Sequence, residues 1–228
     1  MTTREIIGDT PDRTVEVLSE HDSLHVTWSR FGPGRDGASR HIHRQHSDVF
    51  YVLDGELTVK LADGEVAAPA GTLVHVPPLV VHGFRNAGEG ELRYLNLHAP
   101  GSGFIDYMRG RRDGRTVPFD QDDPPADGDA PAGTATIGAA EVLADRPGLR
   151  VVRLADYDEI RVTEAWSDSG EVSPPLPGDG HAEWFYVLDG ELEIDGKRAP
   201  AGSWVHVPAR SSFRGSAPVR FLHVQAPV

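Results

Sequence analysis

An eight-residue string, FYVLDGEL, occurs at residues 50–57 and again at 185–192. Around it, and in the same order, APAG at 68–71 returns at 199–202 and VHVP at 74–77 returns at 205–208. RYLNLHAP at 93–100 comes back as RFLHVQAP at 220–227. The first match is offset by 135 residues and the next two by 131. A four-residue deletion around one turn explains the change, TVKLADGEVA in the first copy against the shorter EIDGKR in the second. Ordered matches on this scale mean two copies of one fold, so any architecture proposed for the chain must be built twice.

Each copy reads as β-structure. VFYVL, ELTVKL, TLVHVP and LRYLNL are short apolar runs separated by Gly, Pro and Asp turns, and Val26, Trp28 and Arg30 alternate with Thr27, Ser29 and Phe31 ahead of them. With 25 Gly and 18 Pro punctuating strands of this length, a sandwich or barrel is expected. Each copy holds about eight strands, enough for a double-sheet jelly roll. GFIDYMRGRR at 103–112 is the best helix candidate, and AAEVLAD at 139–145 is a second. The expected division is a first barrel over 1–112, a linker over 113–135 and a second barrel over 136–228. PFDQDDPPADGDAPAG at 118–133 has Phe119 as its one large apolar residue and reads as a solvated spacer. Duplicated domains tend to keep the contact their ancestor made between subunits. Face-to-face packing within the chain is therefore expected, with a further homodimer left open.

Charge narrows the partners. Lys and Arg total 22 against 35 Asp and Glu, a formal net charge of −13. Phosphate backbones and anionic bilayers would repel such a chain, which points away from nucleic acid and membranes and towards a small-molecule ligand. No cysteine is present, which removes disulfides, thiolate ligands and Cys nucleophiles together. The opening MTTREIIGDTPDR lacks an apolar signal-peptide core, and no apolar run approaches the ~20 residues of a membrane span. A soluble cytoplasmic protein is expected.

The chemistry gathers in the first copy. His41 and His43 flank one residue, so on a strand their side chains leave the same face. Asp48 lies on the run that enters FYVLDGE, His82 follows the hairpin signal PAGTLVHVPPLV, and Asn86 sits four residues further on. Three imidazoles and a carboxylate converging in a barrel suit one divalent transition metal such as Fe, Mn, Ni, Cu or Zn.

These two motifs resemble those of the cupin superfamily. The first comprises Gly34 or Gly37, His41, His43, Asp48 and Gly55; the second comprises Gly64 (shifted by one residue), Pro69, Gly71, His82 and Asn86. The resemblance implies two tandem cupin jelly-roll barrels, with His41, His43, Asp48 and His82 as metal ligands. Most metal-binding cupins carry Glu where this chain has Asp48, so the shorter side chain either ligates directly or acts through water. Aligning Gly190 with Gly55 puts Leu176 and Gly178 at the first two histidine positions and Glu183 at that of Asp48. Ser212 or Phe213 takes the place of His82. The second barrel is therefore expected to hold no metal.

The remaining histidines divide by this comparison. His46 reads as a solvated loop residue, and His75 and His206, shared by both VHVP strings, as structural. Asn96 and His98 alternate on the last strand of the first copy; with Asn86, Phe50 and Phe84 they are the candidate substrate-pocket residues. The resemblance extends to quercetin dioxygenases, many of them two-barrel cupins. The leading expectation is an oxygenase acting on a small enolic or phenolic compound, with Asp48 as the base for a substrate hydroxyl. A non-catalytic small-molecule-binding cupin and a metal-dependent isomerase or lyase are the alternatives, since cupins of all these kinds share the fold.

Overall fold

A computed structural model describes residues 4–124, 134–169, 180–208 and 211–228. The chain divides into two compact units, Met1–Gly138 and Ala139–Val228. In the first, the strands are β1 (Ile6–Thr10), β2 (Arg13–His21), β3 (Leu24–Phe31), β4 (Ser47–Asp54), β5 (Glu56–Leu61), β6 (Gly64–Pro69), β7 (Leu73–Val76), β8 (His82–Arg85) and β9 (Leu92–Ala99). Helix α1 (Phe104–Arg112) and the short β10 (Thr136–Ile137) follow. One sheet runs β1-β2-β3-β9-β4-β7-β10 and the other β6-β5-β8. Phe50, Val52, Val74 and Tyr94 of the large sheet meet Leu57, Val59 and Ala68 of the small one in a core between the two, the layering of a jelly roll.

The second unit repeats the plan. Its strands are β11 (Glu141–Arg146), β12 (Leu149–Asp156), β13 (Arg161–Ser167), β14 (His181–Asp189), β15 (Glu191–Ile194), β16 (Lys197–Pro200), β17 (Trp204–Val207), β18 (Phe213–Gly215) and β19 (Val219–Pro227). They form sheets β11-β12-β13-β19-β14-β17 and β16-β15-β18, the same order as in the first unit. The four-residue deletion falls in one hairpin: β5 and β6 have six residues each, while β15 and β16 have four each. Register survives because two residues leave each strand, so every side chain keeps its face. The DG turn ending both FYVLDGEL strings places Gly55 at φ 76° and Gly190 at φ 74°. A Cβ on Gly55 would collide with the Glu91 carbonyl, and one on Gly190 with that of Pro218, so both positions demand glycine.

One element departs from expectation. Residues 141–146 form strand β11, not a helix, pairing in a hairpin with β12. Pro147 stops any helix there, Gly148 at φ 80° makes the turn, and the Ala-Glu-Val-Leu run is too short to hold a helix unaided. At α1 the expectation holds. Asp106 sits in its first turn and Arg109, Arg111 and Arg112 in its last, each favourable to the helix dipole. Ile105 and Met108 bury against Ile7 and Val15, and Arg109 pairs with Glu5 and Glu20 at 2.7 Å each. The helix is thereby fixed beside β1 and β2. Among the described residues no helix is long and apolar enough to cross a membrane.

The segment read as a solvated spacer is, in its described part, attached to the first unit. Ile42 and Asp122 exchange two backbone hydrogen bonds of 3.0 Å, and Thr136–Ile137, expected at the start of the second barrel, instead pairs with Val74 and His75 of β7. Composition hid this because the attachment uses main-chain groups, which every sequence carries.

Candidate metal centre

His41 and His82 are bridged through their backbones, N–H to carbonyl at 2.8 and 3.0 Å in the two directions. The H-x-H segment is thus pinned to the start of β8, and Asp48 enters from β4. His41, His43, Asp48 and His82 are all buried, and one ligand atom from each lies within 4.8 Å of the others. The four expected ligands come together in space.

Main-chain carbonyls set the imidazoles. His41 Nδ1 donates to the Ser39 carbonyl at 2.7 Å, His82 Nδ1 to that of Val80 at 2.8 Å, and His43 Nδ1 to that of Asp120. A carbonyl can only accept, so all three Nδ1 atoms carry hydrogen and all three Nε2 atoms face the centre. His41 Nε2 and His43 Nε2 stand 3.1 Å apart, and Asp48 Oδ2 is 3.4 Å from His82 Nε2 and 3.7 Å from His43 Nε2. Facing lone pairs at that distance repel unless a cation or proton lies between them. This donor set fits a divalent metal.

A proton held within the cluster would relieve the same repulsion. Burial opposes charge on His43, but the Asp48 carboxylate outweighs it and raises the pKa above the ordinary imidazole value. Burial, reinforced by His82, pushes His41 down to about 4. His43 is the natural holder of the proton and His41 its acceptor. Burial would also lift the pKa of Asp48, yet the surrounding His98, His43 and His82 hold it well below the carboxylate range. Its Oδ1 is occupied by the Asn96 amide and by His98 Nε2 at 3.3 Å, which leaves Oδ2 turned to the three histidines.

A cavity of about 230 Å³ opens beside this cluster. Asn96, His98 and Phe84 line it, as expected. Two other expected pocket residues do not. Asn86 spends its Nδ2 on the carbonyls of Phe31, Gly32 and Gly90, clamping the loop before β9, and Phe50 is packed in the core. On β3 it is Ser29 and Phe31 that face the cavity, while Trp28 between Thr27 and Ser29 points away from it.

The other histidines need correction too. His46 is buried rather than solvated: its Nδ1 meets Asp120 Oδ2 at 2.9 Å, and its ring lies 4.1 Å from that of His43. Burial, with His98 and His43, pushes its pKa down to about 3. His75 is buried and His206 exposed, so the two do not share one structural role. Sequence reasoning missed Phe119 and Asp120 altogether. The Phe119 ring stacks on Tyr107 at 5.2 Å and lies 5.4 Å from His43, closing one side of the cavity. Asp120 also accepts the backbone N–H groups of Arg44 and Gln45. The lone large apolar residue in a polar run was the only available signal.

In the second unit, pairing puts Glu183 opposite Gln225 and Phe185 opposite His223, as Asp48 is opposite His98 and Phe50 opposite Asn96. Glu183 and His223 make a buried pair at 2.8 Å. Leu176 and Gly178 lie outside the described residues. Among the described residues the first unit holds the one cluster able to bind a metal.

Residues 27–98 match the cupin domain family. The chain is 32% identical over 82 residues to quercetin 2,3-dioxygenase of Bacillus subtilis, a match covering 36% of this chain and 24% of that relative. In structure it is similar to AerE from Microcystis aeruginosa, with a TM-score of 0.69 and 16% identity over 99% of this chain and 97% of that one. It is also similar to an oxalate decarboxylase from Lactobacillus farciminis, with a TM-score of 0.66 and 12% identity over 99% and 84%. The first barrel thus carries a cupin domain, and the chain as a whole shares the fold of these structures. The chain spans only about a quarter of the length of this curated relative.

Proposed function

We propose that this cupin is a metal-dependent oxygenase acting on a small enolic or phenolic compound at its first barrel. The observation that carries the reading is the set of three Nε2 atoms held towards one point by main-chain carbonyls, with Asp48 Oδ2 beside them. A divalent transition metal bound there would supply Lewis acidity to lower the pKa of a chelated hydroxyl, and a route for its oxidation by O₂. The chain does the rest. Phe84, Phe104 and Phe119 give the cavity apolar walls that exclude water around a ring or enol. Asn96 and His98 hold Asp48 by one oxygen, so its other oxygen is oriented. A carboxylate kept ionised this strongly is a better ligand than base, and ligation is the role the geometry favours for Asp48. Proton acceptance there is what Asp48→Asn tests: as a base its loss slows turnover more than it weakens metal binding.

The cavity also bears on size. At about 230 Å³ it lies below the roughly 300–1,000 Å³ of pockets for drug-sized ligands, which favours a single ring or a short enol over a flavonol. The test is O₂ uptake by metal-loaded protein with catechol, dihydroxybenzoates and small enols. Uptake that disappears in His82→Ala supports the reading. No uptake across the panel, with metal bound, moves the binding and isomerase readings ahead.

A further inference from the structure

Arg13 opens β2, opposite Phe31 on β3, and lines the same cavity as His41, His43 and Asp48. Its guanidinium carbon lies 5.9 Å from the Phe31 ring centroid, and Nη2 reaches no better acceptor than the Met108 sulfur at 3.5 Å. Nε is buried without a hydrogen-bond partner. Among the described residues no carboxylate lies within ion-pair reach of Arg13. Nearby arginines are treated differently: Arg30 has Glu91, Arg35 has Asp12 and Arg109 has Glu5. Acid is not scarce in a chain with 35 Asp and Glu. The one acidic residue lining the cavity is Asp48, whose oxygens are committed to the histidines and Asn96.

A half-buried cation without a counter-ion is costly, and a carboxylate docking on its planar fork relieves that cost with two parallel hydrogen bonds. Burial already lowers the pKa of Arg13, the mark of a charge that lacks compensation. Arg111, exposed at the rim and 3.2 Å from the Tyr107 hydroxyl, adds positive potential on the same side. The space, equal to about seven or eight waters, admits one ring with small substituents.

We infer that Arg13 is the anion anchor of this cavity, and that the substrate is a small aromatic or enolic acid whose carboxylate meets Arg13 while its hydroxyl oxygens face the cluster at His41 and His43. This inference rests on the reading of the cluster as a site for a chelating enol or phenol, and it adds the acid group.

The experiment compares 2,3-dihydroxybenzoate with catechol, which carries the same diol without the carboxylate. Binding to the zinc-loaded full chain is followed by calorimetry without O₂. The acid should bind at least tenfold tighter than catechol. Arg13→Gln should cut the affinity for the acid at least tenfold and bring the two ligands within about threefold, with zinc content unchanged. Arg13→Lys, which keeps charge without the fork, should fall between. Equal affinities in the native chain, no binding of the acid at millimolar concentration, or a preference that survives Arg13→Gln but not Arg111→Gln would each overturn the assignment. An Arg13-dependent preference without O₂ uptake sinks the oxygenase reading and leaves this one standing. Rapid uptake with catechol, together with no preference for the acid, does the reverse.

Discussion

Replacing Asp120 with Ala tests whether the segment beyond α1 belongs to the metal centre. The Asp120 carboxylate accepts from His46 Nδ1 at 2.9 Å, from Gln45 N at 2.8 Å and from Arg44 N at 3.0 Å. Arg44 and Gln45 are exposed, so water replaces those two bonds at small cost. His46 is buried, with its Nε2 already unpartnered, and would be left with no hydrogen bond at all. Stranding that group costs about 1–3 kcal/mol. For a unit of this size the loss corresponds to a Tm lower by roughly 3–12 °C in metal-free protein. The Asp120 carbonyl remains, but the side-chain bonds that hold it under His43 Nδ1 are gone. Loss of such outer partners typically weakens a metal site about 10–100-fold. Zinc affinity by chelator competition, with melts of metal-free and loaded protein, reads both effects. An affinity within threefold of the native value, in a folded variant, would refute the claim that this segment orients His43.

Two other outcomes follow from the same geometry. Metal analysis of the purified chain should give one equivalent, abolished by His41→Ala and left intact by His206→Ala; two tightly bound equivalents would contradict the assignment of binding to the first barrel alone. In metal-free protein the His41 pKa, about 4 when folded against about 6.5 unfolded, makes the unfolded state the better proton binder in between. That stability is full above pH 6.5 and lost as pH falls towards 4, about 3 kcal/mol from His41, with His46 acting in the same direction and the raised pKa of His43 partly opposing. Urea midpoints that stay flat from pH 7.5 to 4.5 would exclude this.

What the sequence revealed and what it hid divide along one line. The repeat, the turns at Gly55 and Gly190 and the His41, His43, Asp48, His82 set were legible because each depends on local spacing along strands of period two. His46, Phe119 and Asp120 were not, because their roles come from contacts about 75 residues apart, to a stretch with no periodicity. Arg13 was hidden as well: its significance is the absence of a counter-ion, which only the fold can show. Asn86 was misassigned because its spacing from His82 fits a pocket residue and a loop clamp equally well. At 139–145, local helix preference lost to a hairpin fixed by Pro147 and Gly148.

The pairing of Ile42 with Asp122 has a practical consequence for anyone who would handle the barrels separately. Composition suggests a cut after residue 112, where the helix ends a few residues short of the Asp- and Pro-rich run. A fragment trimmed there would keep all four candidate ligands and most of its core, yet lack the aromatic lid of Phe119 and the carbonyl under His43. It would resemble an intact domain by circular dichroism while carrying a half-built pocket, and its inactivity would be misread as dependence on the second barrel. The serviceable seam is at Gly138, after the chain has made its last stitch to β7.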